Sequence, residues 1–219
     1  MQRKVTPELL DTDAATPADV QQSLQDLRRI NRWFGGIRTT QRMLEKVIAR
    51  LPRPDWTLLD VGAGSGDVSR VAAGQLRYQA DIRVTLLDRM PAHLPRDGAQ
   101  RVAGEALALP FRDGSFDLVA CSLLVHHLER DEIIRFVNEA LRVARVAVLL
   151  NDLRRDPVHL LLVYAGFPLM NRVSRHDGVA SVRRAYTAGE MKAIARDTAA
   201  ASVDIENHYL YRMGVIAWK

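Results

Sequence analysis

The sequence predicts an α/β fold with a mostly parallel sheet. Three features carry that expectation. From residue 56 short apolar runs alternate with stretches of helical spacing, a triple-glycine bend follows the first run directly, and two strand-like runs close the chain with almost no linker. With 219 residues, 47% of them hydrophobic and 26% charged, the chain matches one globular domain, whose averages are roughly 45–50% and about 25%. Disorder, collagen and coiled-coil architectures are excluded. The 31 Lys and Arg against 26 Asp and Glu leave a net charge of +5, a basic bias too small and dispersed to argue for nucleic acid alone. One cysteine, Cys121, excludes an intramolecular disulfide and a multi-cysteine metal site, and points to a reducing, cytoplasmic compartment. No apolar core of a secretory signal follows the first basic residues. The greasiest stretch, 158–170, contains His159, Gly166 and Pro168 and falls short of the ~18 residues of a membrane span, so a soluble protein is expected.

Thr16-Pro17-Ala18-Asp19 opens the first helix, with Thr16 as N-cap and Pro17 where its missing N–H costs nothing. Leu24, Leu27 and Ile30 recur at helical spacing, and Gly35-Gly36 breaks the helix. A second helix over about 39–51 carries Met43, Leu44, Val47 and Ile48 on one side and stops at Pro52 and Pro54. Residues 56–61, 82–87, 116–122 and 146–150 read as buried parallel strands, with helices near 67–79 and 131–142 between them. Thr187-Ala188-Gly189-Glu190 fits a capping box opening a helix through about 198, and 203–210 with 211–218 read as an antiparallel pair.

The most informative stretch is Leu58-Leu59-Asp60-Val61-Gly62-Ala63-Gly64-Ser65-Gly66, an apolar strand running into three glycines and then a helix. Glycine admits positive φ and lets a ligand approach the backbone. The dinucleotide fingerprint needs a glycine three residues after Gly64, where Asp67 stands, so the pyrophosphate motif is missed by one position. A carboxylate at Asp60 would repel a phosphate and could pair with an ammonium group. Asp88 ends the second strand, beside the glycine loop in an open α/β sheet, and could accept both hydroxyls of a ribose.

Residues 60–66, Leu87-Asp88, Gly104-Glu105-Ala106-Leu107-Ala108-Leu109-Pro110-Phe111 and Ser115-Phe116-Asp117-Leu118-Val119 resemble, in order and spacing, the motifs of class I S-adenosylmethionine-dependent methyltransferases. The likeness covers about 55–150 and is greatest to the ubiquinone/menaquinone C-methyltransferase type. It implies the Rossmann-like class I fold, S-adenosylmethionine as cofactor and S-adenosylhomocysteine as product. It also implies that Asp60, Gly62 and Gly64 hold the methionyl end, Asp88 the ribose, and Glu105 with Ala106 the adenine, with Ala63, Gly66, Arg89 and Ser122 in the same cofactor set. The family more often has Asp where Glu105 stands.

Beyond the fourth strand, Cys121-Ser122-Leu123-Leu124-Val125-His126-His127-Leu128 emerges at the same sheet edge, and small-molecule members of the family resemble it, paired histidines included. The Asn/Asp-Pro-Pro-aromatic tetrapeptide of nucleic-acid amine methyltransferases is absent. A phenol of pKa about 10 is mostly neutral at pH 7, so a base on its hydroxyl would contribute ~10²–10⁴-fold. His127, and after it His126, are the candidates, against the alternative that one packs and the other is solvated. Cys121 reads as an inert core thiol. Between the fifth strand and the last helix, a cap at about 154–186 supplies an apolar wall (158–170) and arginines for an acidic or phenolate oxygen. His176, Arg183 and Tyr186 are its candidate substrate contacts.

Residues 1–54 form the expected amino-terminal helical lid over a core domain of 55–219, with Trp33 and Phe34 partly buried. No metal is expected, because no cluster of Asp, Glu and His at ligand spacing lies near the Asp88 and His127 edge. The predicted reaction methylates an oxygen or activated carbon of a small aromatic or quinone-like metabolite. An RNA methyltransferase, a nicotinamide-dependent oxidoreductase and a non-catalytic cofactor-binding module are the alternatives, and the oligomeric state stays open.

Overall fold

The apolar runs become seven strands: β1 (Asp55–Val61), β2 (Asp81–Asp88), β3 (Gln100–Ala103), β4 (Phe116–Ser122), β5 (Ala144–Leu153), β6 (Ser202–His208) and β7 (Arg212–Trp218). They form one sheet in the order β3-β2-β1-β4-β5-β7-β6, parallel apart from β7, which runs antiparallel to both its neighbours. The helices are α1 (Pro17–Trp33), α2 (Gly36–Arg50), α3 (Asp67–Gln75), α4 (Arg130–Val143), α5 (Pro157–Ala165), α6 (Arg172–Arg184) and α7 (Ala188–Ala195). A computed structural model describes residues 1–11 and 16–219. The expected mostly parallel sheet with a closing antiparallel pair is the observed one.

Each strand between helices is apolar along nearly its whole length because both sheet faces are covered. On one face, Leu44 and Val47 of α2 pack with Trp56, Leu58 and Leu118. On the other, Ile133 and Phe136 of α4 and Ile194 of α7 pack with Leu59, Val61 and Val119. Side chains of this kind each contribute about 1.5–3 kcal/mol on full burial. Of the amino-terminal 54 residues, α2 therefore belongs to the core, while α1 lies above it and away from the sheet. Cys121 is buried in β4, where burial pushes its thiol up.

Several details differ from expectation. β3 was not foreseen, because its Gln100 and Arg101 are exposed at the sheet edge and give no apolar run. The apolar wall expected over 158–170 is helical only as far as Ala165, where α5 ends, and Pro168 sits in a separate short turn at Phe167–Leu169. Trp33 and Phe34, expected partly buried, are 70% and 50% exposed. Gly35 takes φ +81° and lets α1 turn into α2, a break that lifts both aromatic rings off the core.

The chain leaves β1 for β2 and β3 on one side and returns across to β4 on the other. The carboxyl ends of β1, β2 and β4 thus part around a crevice, the usual ligand position in such sheets. The first eleven residues cross the cap. The Lys4 amide donates to the Arg183 carbonyl at 3.0 Å, and the Leu9 and Leu10 amides donate to the Asp177 carboxylate at 2.7 and 3.1 Å. Among the described residues, no helix is long and apolar enough to cross a membrane.

Candidate active site

Three glycines shape the bend between β1 and α3, with φ of +66° at Gly62, +51° at Gly64 and +67° at Gly66. Side-chain-bearing residues are strained in all three conformations. Gly66 also has no room, since a Cβ there would lie 2.5 Å from Leu86 Cδ1. Gly64 has the reverse property: nothing stands within 4 Å of where its Cβ would be, so a ligand can lie against the backbone. The Gly64 amide donates to Asp88 Oδ2 at 2.8 Å and the Met90 amide to Asp88 Oδ1 at 2.9 Å, which fixes the carboxylate at the crevice. Each oxygen keeps a further lone pair for a ribose hydroxyl. Asp60 is buried beneath, accepting from Ser69 Oγ at 2.6 Å. Burial raises its carboxyl to about 7, with Ser69 opposing and the charges of Asp67 and Asp88 adding to the rise. The open backbone at Gly64 beside a fixed carboxylate leaves room for a ligand at the crevice.

From this crevice a cavity of about 300 Å³ continues upward. Gly62, Gly64, Asp88 and Leu123 form its floor. Leu24, Leu27 and Ile30 of α1 face it from one side and Leu162, Val163 and Met170 of the cap from another. Leu123 holds φ +57° with its amide donating to the Asn151 carbonyl at 2.9 Å, and Leu210, also a lining residue, holds φ +52°. Left-handed backbone at branched apolar residues costs of order 1–3 kcal/mol and clusters where ligands are held.

At one wall of the cavity lie Glu8, His126 and His127. The short turn Val125–His127 after β4 presents both histidines, their ring centroids 4.2 Å apart. His126 is buried: its Nδ1 stands 2.7 Å from Asp152 Oδ1, and its Nε2 stands 3.3 Å from Glu8 Oε1 without hydrogen-bond alignment. Burial works to lower the imidazole, but Asp152 and Glu8 lift it to about 10. The same partnership outweighs burial in Asp152 and Glu8, and both carboxylates fall below their ordinary values. Ser181 Oγ donates to Glu8 Oε1 at 2.6 Å. His127 is half-buried, with Nε2 3.8 Å from Glu8 Oε1.

The expected site residues distribute unevenly. Gly62, Gly64, Asp88, His126 and His127 come together on the cavity; Ala63 and Gly66 belong to the same bend, and Ser122 ends β4 just before Leu123. Glu105 and Ala106 occupy the turn after β3, with Glu105 exposed and bridged to Ala108, and Arg89 is exposed after β2. Four expectations need correction. His126 is no general base in this state, because a cation between two carboxylates holds its proton through neutral pH. Tyr186 is no substrate contact: its hydroxyl donates to the Leu128 carbonyl at 2.8 Å and its ring is buried in the core. His176 turns from the cavity to Asp177 Oδ1 at 2.9 Å, and Asp177 is the residue that lines it. Arg183 likewise reaches outward to the Tyr164 hydroxyl. The buried lining arginine is Arg212 of β7, which donates to Asn31 Oδ1 at 2.9 Å. Glu8, Asp152 and Arg212 gave no local signal in the sequence.

Residues 59–149 match the family model described as methyltransferase domain. The chain is 33% identical over 103 residues to the ubiquinone/menaquinone biosynthesis C-methyltransferase UbiE of Ruegeria sp., covering 43% of this chain and 40% of that protein. To the demethylmenaquinone methyltransferase of Roseiflexus castenholzii it is 38% identical over 92 residues, covering 40% of this chain and 38% of that one. The chain thus spans about two fifths of the length of these curated relatives. Among solved structures, the plantazolicin methyltransferase BpumL in complex with a triazolic desmethylPZN analog and SAH superposes with a TM-score of 0.68 at 11% identity, over 93% of this chain and 92% of that one. A SAM-dependent methyltransferase of Aquifex aeolicus superposes at 0.55 with 19% identity, over 80% and 88%. These likenesses establish the fold.

Proposed function

We propose, for a chain whose residues 59–149 are a methyltransferase domain on the class I fold, S-adenosylmethionine-dependent methylation of an oxygen or activated carbon in a small aromatic or quinone-like metabolite. The observation that carries this reading is one continuous cavity: it joins the Gly64–Asp88 crevice to an apolar chamber bordered by α1 and the cap. The cofactor supplies an electrophilic methyl group on a sulfonium. The protein's task is then alignment, which can supply about 7–11 kcal/mol when the reacting atoms are held in line.

Gly62, Gly64 and Asp88 hold the cofactor where it enters the cavity, and Asp60 beneath the bend offers charge to its ammonium end. By family likeness Glu105 and Ala106 border the adenine, with Ala63, Gly66, Arg89 and Ser122 beside it. The leucines of α1 and the α5 wall exclude water and sort acceptors by shape. His127, backed by Glu8, is the group that meets an acceptor hydroxyl. α1 and the cap act as the lid, opening for exchange. The ubiquinone/menaquinone and demethylmenaquinone relatives favour a quinone-like acceptor, and a cytoplasmic setting fits a chain whose one cysteine is buried in the sheet.

Calorimetry with S-adenosylhomocysteine tests the reading. One-to-one binding lost in Asp88→Ala, together with methyl transfer to a panel of phenols and quinols that falls ~10²–10⁴-fold in His127→Ala, is the expected result. A site that takes a nicotinamide dinucleotide and ignores the sulfonium compounds would overturn it.

A further inference from the structure

The wall of Glu8, His126 and His127 has the makings of a metal site. Its three candidate ligand atoms, two imidazole nitrogens and one carboxylate oxygen, lie within 4.8 Å of one another. Glu8 Oε1 is 3.3 Å from His126 Nε2 and 3.8 Å from His127 Nε2, the separations expected of donors around one ion at about 2.0–2.2 Å from each. His126 is buried, and its Nε2 meets Glu8 Oε1 at 3.3 Å without the alignment of a hydrogen bond, so the atom faces the carboxylate but is not hydrogen-bonded by it. Behind it, Asp152 accepts from the Nδ1 side at 2.7 Å and from the His126 amide at 2.9 Å, which orients the ring and leaves Nε2 to face Glu8. Carboxylate–histidine–metal arrangements have this form. Glu8 is steadied in turn by Ser181 Oγ, and its segment by the Asp177 contacts with the Leu9 and Leu10 amides.

We infer that Glu8, His126 and His127 bind a divalent transition-metal ion, Zn²⁺ by preference, with its remaining coordination position open to the cavity. Two histidines and one carboxylate with a free position are the donor set of catalytic rather than structural zinc. This inference rests on the proposed function and deepens it: an acceptor hydroxyl coordinated there loses its proton to water at neutral pH, and the ion takes over the role given above to His127. The sequence hid the site because Glu8 lies in the amino-terminal segment, far along the chain from the paired histidines.

The full chain, stripped of metal by chelator, is titrated with Co²⁺ followed by its visible absorption, then with Zn²⁺ in competition, and S-adenosylhomocysteine affinity is measured on the same samples. One Co²⁺ per chain, displaced by Zn²⁺, is expected. Asp152→Asn should weaken it about 10–100-fold, and Glu8→Gln and His127→Ala at least as much, with S-adenosylhomocysteine binding kept. No Co²⁺ binding at millimolar metal while S-adenosylhomocysteine still binds overturns the metal site and leaves the methyltransferase reading standing. Binding unmoved by Glu8→Gln and His127→Ala overturns it equally. Metal bound with no affinity for S-adenosylhomocysteine would sink the methyltransferase reading instead. Should the variants fail to fold, anomalous density in a Zn²⁺ crystal decides: a peak about 2.0–2.2 Å from all three atoms supports the site, and a peak elsewhere refutes it.

Discussion

Among the described residues, Asp60 is a buried carboxyl without a cationic partner. Burial lifts it to about 7 from 3.8, Ser69 pulls the other way, and Asp67 and Asp88 add repulsion. A raised acid holds its proton more tightly folded than unfolded. Its stabilising contribution is therefore complete below 3.8 and disappears as pH rises through about 7. Asp60→Asn, which cannot ionise, should be close to wild-type stability near pH 4 and gain on it by up to about 4 kcal/mol above pH 7. Urea melts at about pH 4 and about pH 8 read this difference, and a gap that stays constant with pH would refute the assignment.

At the scale of elements, the bend into α3 depends on Gly66 for two reasons that add: a left-handed φ and a Leu86 methyl 2.5 Å from a new Cβ. Gly66→Ala should cost about 2–6 kcal/mol by strain plus overpacking, whereas Gly64→Ala, with open space before it, should cost about 1–3 kcal/mol and lose cofactor affinity. Thermal melts and S-adenosylhomocysteine calorimetry on the pair separate the two roles; equal losses in both measurements would contradict them. A second element rests on Asp177, whose carboxylate holds the Leu9 and Leu10 amides and with them Glu8. Asp177→Ala should raise hydrogen exchange across residues 1–11 while leaving that of β1 and β4 unchanged; protection retained there would show that other contacts fix the segment.

These elements also show what a sequence can disclose. The strands β1, β2, β4 and β5 were legible because burial on both faces writes a continuous apolar run, and the bend because glycines at positive φ cannot be disguised. β3 was not, being short, polar and at an edge. Asp60 and Asp88 were legible by their place at strand ends. The acid–histidine cluster was half legible: the paired histidines follow β4 in the chain, but Glu8 and Asp152 reach them only through tertiary packing. Tyr186 misled for the same reason, since a polar tip in a promising motif satisfied itself on a backbone carbonyl.

For the whole molecule, the cavity couples parts that the sheet alone does not join: the carboxyl ends of β1 and β2, the helix α1 and the cap. A ligand in it contacts all of them and binds the folded chain only. At one hundred times its dissociation constant, such a ligand stabilises by about 2.7 kcal/mol. For a chain of 219 residues, where 1 kcal/mol moves the midpoint by roughly 2–4 °C, that is a rise of roughly 5–10 °C. S-adenosylhomocysteine should produce this shift in wild type and not in Asp88→Ala. On the proposed function, adding an apolar phenol should produce a further rise in the presence of S-adenosylhomocysteine, because the cofactor would complete the floor of the acceptor's chamber. Leu27→Asp, on the α1 side of the chamber, should abolish that second increment and keep the first. Differential scanning calorimetry with each ligand alone and together measures both. Increments that both vanish in Leu27→Asp would mean that α1 supports the cofactor rather than the acceptor, and a phenol shift independent of Leu27 would place the acceptor outside the chamber.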